Sequence, residues 1–122
     1  MKPLILSALL ISMLGSSGAF AMAAKHGGKV AQTSGHHFLE LVVKDGSMDL
    51  HVLHEDGEAQ NVDGAKGTAV ILSGGQKEQI SLTPSGSVLT GAGSFQDTPG
   101  TVVVVTLTMP KHKPEQARFV LD

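Results

Sequence analysis

The sequence predicts an all-β fold: an immunoglobulin-like antiparallel β-sandwich of about seven strands, preceded by a signal peptide. Three features of the chain point there. From residue 36 onward, apolar residues recur with period two in short runs. Asp-Gly and Gly-Gly pairs and Pro-containing breaks separate those runs, and such pairs between alternating segments are hairpin signals. No run carries a capped period of 3.6 residues, so no helix is expected.

Residues 1–23 read as the signal peptide. Lys2 supplies the positive start, and Leu4 to Leu14 form a short apolar stretch. Ala19-Phe20-Ala21 and Ala21-Met22-Ala23 offer two small-x-small cleavage sites. The stretch is shorter than the roughly 20 residues that a membrane span needs. Cleavage is expected after Ala21 or Ala23. The expected location is the periplasm, with no membrane association after cleavage. Loss of Lys2 takes the formal charge from −2 to −3.

Residues 24–35 are polar and Gly-containing, which predicts a flexible arm carrying His26. Residues 36–122 then form the sandwich domain. Its strands are expected at 36–43, 48–54, 67–73, 78–83, 87–92, 101–109 and 116–121. The separators are Asp45-Gly46, Asp56-Gly57, Asp63-Gly64, Gly74-Gly75, Pro84-Ser85-Gly86, Pro99-Gly100 and the stretch from Pro110 to Pro114. The expected core is aliphatic: Leu39, Leu41, Val43, Leu50, Val52, Val70, Leu72, Ile80, Leu82, Val103, Val105 and Leu107.

Asp45-Gly46 fixes the register of the first hairpin. As the two-residue loop of a type I′ turn, it sets Lys44 opposite Ser47. Counting back pairs Val43 with Met48, Leu41 with Leu50, Leu39 with Val52 and His37 with His54, all on one face. The other face carries Val42–Asp49, Glu40–His51, Phe38–Leu53 and His36–Glu55. Opposed Cβ atoms lie about 4.5–5.5 Å apart, close enough for two imidazoles to share one ion at about 2.0–2.1 Å per bond.

Composition narrows the chemistry. With no Cys, disulfides, thiolate metal sites and cysteine nucleophiles are excluded. With no Trp or Tyr and a slight negative charge, the chain lacks both the stacking platform and the basic footprint of a nucleic-acid binder. No HExxH, P-loop, GxGxxG or GxSxG is present, so no enzyme is expected. What remains is histidine: five of the six fall within residues 26–54. His37 and His54 are the central candidate metal ligands, with His26 or Asp56 as a third donor. His36, His51 and Glu40 complete the candidate set. Each has a bland counterpart. Opposed His at a strand end can be a hydrogen-bonded rim, Glu40–His51 an ordinary cross-strand pair, His26 an arm residue, and His112 in its Lys-His-Lys-Pro loop a solvated side chain.

Three segments also carry a resemblance: His26-Gly27-Gly28, then Gly35-His36-His37-Phe38-Leu39-Glu40-Leu41-Val42, then His54-Glu55-Asp56-Gly57. They resemble small secreted bacterial proteins and the N-terminal region of periplasmic adaptor subunits of heavy-metal efflux systems. Gly91-Ala92-Gly93-Ser94-Phe95 and Val103-Val104-Val105-Thr106-Leu107 resemble the same group. The resemblance implies a His-bearing periplasmic β-domain linked to copper, zinc, cobalt or nickel handling, with an efflux component as partner. The chain ends at Asp122 without the coiled-coil hairpin or barrel of a full adaptor.

The expectation is therefore a non-enzymatic periplasmic protein that binds a divalent transition metal (Cu, Zn, Ni or Co, with copper or zinc first) for buffering or delivery. Imidazole with carboxylate suits Cu(II), Zn(II) or Ni(II). Such a site needs neutral His, so affinity falls as pH drops through about 6.5, the ordinary His value. The alternative is a structural or protein-interaction module with no metal site, pairing through an edge strand.

Overall fold

The structure, a computed structural model, describes residues 23–122; the stretch 1–22, most of the expected signal peptide, lies outside it. The described chain is all β and helix-free. It has eight strands: β1 (Lys29–Gln32), β2 (Phe38–Lys44), β3 (Ser47–Leu53), β4 (Lys66–Ser73), β5 (Gln76–Ser85), β6 (Val88–Ala92), β7 (Val102–Thr108) and β8 (Glu115–Val120). All pairings are antiparallel. The order is β1-β2-β3-β6-β5-β4-β7-β8, one nearly closed, barrel-like sheet.

β5 joins the two halves. Its residues 76–82 pair with β4, and 83–85 pair with β6. Pro84 falls in the second part, beyond the β4 ladder, where its missing N–H breaks no bond to that strand. The expected turn at Pro84-Ser85-Gly86 is correspondingly shorter. β1 and β8 bring the far edges together without a ladder. Ser34 N–H donates to Gln116 O at 3.3 Å, and the Lys29 ammonium meets the Asp122 carboxylate.

All seven expected runs form strands. The eighth is β1, four residues inside the stretch expected as an arm. Its Lys-Val-Ala-Gln sequence is too short for a period-two signal, and its strand state comes from pairing with β2, Lys29 opposite Leu41 through Gln32 opposite Phe38.

The first hairpin has the expected register from Lys44↔Ser47 to Phe38↔Leu53. The ladder stops there, so His37 and His54 lie just past it. The turn is not type I′, because that type needs positive φ at both central residues. Gly46 has φ 80°, while among non-glycines only His36 and Lys111 of the described residues are positive. The loop length alone sets the register. Hydrogen bonds from Gly46 N–H to Phe95 O (2.9 Å) and from Gly93 N–H to Gly46 O (3.1 Å) then hold the turn.

The core fills the inside of the barrel. Leu39, Leu41, Leu50 and Val52 of the hairpin meet Leu89 of β6 and Val103, Val105 and Leu107 of β7, all fully buried. β4 corrects one expectation. Ala69 and Ile71 point inward, whereas Val70 is half-buried and Leu72 is 40% exposed. Thr-Ala-Val-Ile-Leu is apolar in both phases, so alternation could not fix its parity. The ladder does, placing Ala69 opposite Val105 and Ile71 opposite Val103.

Candidate functional site

The structure divides the candidate residues into two groups. The first is built on β2 and β3, where Glu40 and His51 are Cα partners as the register requires. Glu40 is fully buried, although it sits on the face away from the hairpin core. The segment 25–28 covers it. The carboxylate accepts from Lys25 N–H (3.0 Å), His26 N–H (2.7 Å), Gly28 N–H (2.9 Å) and the His26 ring through Nδ1 (2.9 Å). Burial pushes the Glu40 pKa up, but the His26 ring and the N–H groups of Gly28, His26 and Lys25 outweigh it. The pKa falls from 4.5 to about 2.

The His26 ring then lies flat on the His51 ring, with centroids 3.8 Å apart and planes 4° from parallel. Burial lowers the His51 pKa, as does the neighbouring His26; Glu40 and Asp49 pull the other way. Lys25 adds a second tie, its ammonium donating to Gly57 O at 2.7 Å. His26 is thus committed to Glu40 and His51 and does not complete a His37–His54 site.

The second group surrounds His37 in the β1–β2 connection. His37 Nδ1 lies 2.8 Å from Glu115 Oε1, at the start of β8. Glu115 is buried, and its Oε1 also accepts from the Thr33 hydroxyl at 2.5 Å. The same hydroxyl accepts from His37 N–H (3.0 Å) and Gly35 N–H (3.2 Å). Thr33 N–H donates to His37 O at 2.8 Å and closes the loop. Gly35 packs directly against this carboxylate: a Cβ there would lie 2.4 Å from Glu115 Cδ, so the Glu115 side chain would have to shift. His36 takes φ 70° at the tip, a conformation uncommon outside glycine.

His37 borders two open pockets. One, of about 570 Å³, is lined by Gly35, His36, His37, His54, Glu55 and Asp56. It gathers the expected pair, the alternative ligand His36 and the alternative third donor Asp56. The other, of about 450 Å³, includes His112 and Glu115. The His37 and His112 rings meet edge to face with centroids 6.4 Å apart. His112 is exposed, as expected for its loop, but it is not remote from the candidate pair. Among the described residues, no three His, Asp or Glu side chains lie close enough to hold a metal ion as they stand.

Sequence reasoning missed Glu115 and Thr33. They act on His37 from 78 and 4 residues away, and no local pattern joins Glu115 to His37. Comparisons with protein-family models, with curated proteins and with solved structures found no match.

Proposed function

We propose that the protein is a non-enzymatic binder of a divalent transition metal, copper or zinc before nickel or cobalt, acting in the periplasm to buffer or deliver the ion alongside a heavy-metal efflux component. The observation that carries this reading is the fixed orientation of His37. A carboxylate holding one ring nitrogen is the usual support of a metal-ligating imidazole. With Nδ1–H donating to the Glu115 carboxylate, the ring's lone pair is on Nε2, free to meet an ion. His54 and His36 line the same pocket and supply further nitrogen donors; Asp56 and Glu55 supply oxygen. His36, His54, Glu55 and Asp56 are exposed, so their side chains are free to move toward an ion held at His37.

Glu40 has a supporting part in this reading. Its oxygens are saturated by four donors, so it orients His26 rather than ligating. Residues 1–23 as a cleaved export signal supply the compartment. The finer architectural reading, an immunoglobulin-like sandwich, rests on the two halves β1-β2-β3-β6 and β4-β7-β8 that β5 connects.

Calorimetric titration of the mature protein with Cu(II), Zn(II) and Ni(II) in turn tests the proposal. In the Zn(II) titration His37→Ala and His54→Ala should each weaken binding at least tenfold, and the double variant should lose little more, because both act on one ion. Small additive losses for all six His would instead indicate scattered surface binding.

The second reading, an interaction module, is favoured by the β1–β8 boundary, where two edge strands meet without a ladder. A partner strand pairing there would bind equally well with every His replaced.

A further inference from the structure

Three nitrogens of one short segment converge on a single carboxylate. Lys25 N, His26 N and His26 Nδ1 all lie within 3.0 Å of a Glu40 oxygen. These are consecutive donors of a recognisable chelate. When a chain begins Xaa-Yaa-His, its free amine, the next two amide nitrogens and the His Nδ1 can surround one ion in a square plane. Four nitrogens in a plane select Cu(II) and Ni(II). The chain reads Ala24-Lys25-His26 directly after the second expected cleavage site. Cleavage there converts Ala24 N from an amide into the missing amine.

We propose that the mature N-terminus, Ala24-Lys25-His26, is a second metal site, specific for Cu(II) or Ni(II) and separate from His37. This rests on the export part of the functional reading, since only cleavage after Ala23 creates the amine. Ala24, Lys25 and His26 are exposed, so an ion reaches them from solvent. The protein has already curled the segment so that Lys25 N, His26 N and Nδ1 all face the two oxygens of one carboxylate, Glu40. Binding is a proton exchange. The two amide protons and any proton on the amine pass to solvent, and the His26 ring proton moves to Nε2. The ion takes the four lone pairs. Glu40 loses three hydrogen bonds in the exchange and keeps the one from Gly28 N–H.

The pattern distinguishes this site from the His37 pocket. A chelate through deprotonated amides requires a free amine, two amide nitrogens and one His, and none of His36, His37 or His54. Zn(II), which does not displace amide protons at neutral pH, should not occupy it. Cleavage after Ala21 would start the chain Met22-Ala23-Ala24, which has no His in third place.

The test uses the full chain exported by a bacterial host and purified from the periplasm. Mass spectrometry fixes its N-terminus, and one equivalent of Cu(II) is followed by visible absorption and electron paramagnetic resonance. The expected result is an N-terminus at Ala24 and the violet, four-nitrogen spectrum of square-planar Cu(II). That spectrum should persist in the His37→Ala/His54→Ala variant. It should vanish in His26→Ala, in Lys25→Pro, which removes an amide proton but no imidazole, and in the unprocessed cytoplasmic chain. Circular dichroism checks that both single variants keep the strand spectrum. An N-terminus at Met22 overturns the proposal, as does the same Cu(II) spectrum in Lys25→Pro, or a chain that starts at Ala24 without the spectrum. An intact Met1 in the periplasm overturns the cleavage reading itself, while loss of Zn(II) binding in the His37 variant reports on the other site alone.

Discussion

Glu40 and Glu115 are the two residues on which the local structure turns, and each is a buried carboxylate facing a histidine. The Glu40 pKa is lowered to about 2 in the folded protein, against about 4.5 when unfolded. Its contribution is therefore full above pH 4.5 and disappears as pH falls toward 2, a change of roughly 3 kcal/mol. His51 acts in the same direction. Its lowered pKa means that the unfolded chain takes up a proton first as pH drops below about 6.5, so stability declines there too. Urea unfolding across pH 2–7 should show both losses, and Glu40→Gln should flatten the lower one. An acid limb unchanged in that variant would contradict the role assigned to Glu40. Gly35 gives a sharper steric case. Gly35→Ala forces a Cβ to 2.4 Å from Glu115 Cδ, so about 1–3 kcal/mol should be lost together with the Glu115–His37 contact. At this scale the sequence was partly legible. Register counting placed Glu40 beside His51. It could not show that backbone N–H groups from residues 25–28 would cover the carboxylate, because that contact depends on β1 pairing with β2.

The β2–β3 hairpin was the most legible element, since alternation and a two-residue loop determine its register together. Leu41 faces the core there and is 1% exposed, so Leu41→Ala should cost roughly 2–5 kcal/mol in denaturant unfolding. β4 shows where alternation fails, because its apolar residues occupy both faces. A matched pair of variants checks its parity. Ile71→Ala should cost roughly 2–5 kcal/mol and Leu72→Ser less than about 1 kcal/mol. The reverse order would mean that β4 is flipped. β1 was illegible for another reason: four residues with no alternation become a strand only through long-range hydrogen bonds.

The described sheet nearly closes as β1 and β8 approach each other, and that approach creates the environment of His37. Thr33 and His37 follow β1, Glu115 opens β8, and the three meet only when the two ends of the sheet converge. The His37–Glu115 contact spans 78 residues and leaves no short motif to read, whereas one turn carries His37 and His54 to the end of the ladder, where both line one pocket. In the proposed function His37, held by Glu115, anchors the divalent-metal site. Zn(II) calorimetry on wild type, His37→Ala and Glu115→Gln tests it most directly, because Zn(II) does not bind through amide nitrogens at neutral pH. Binding near one equivalent in the wild type should be abolished in His37→Ala and weakened about 10–100-fold in Glu115→Gln, the usual effect of losing the group that orients a ligand. Superimposable Zn(II) isotherms for all three proteins would contradict it.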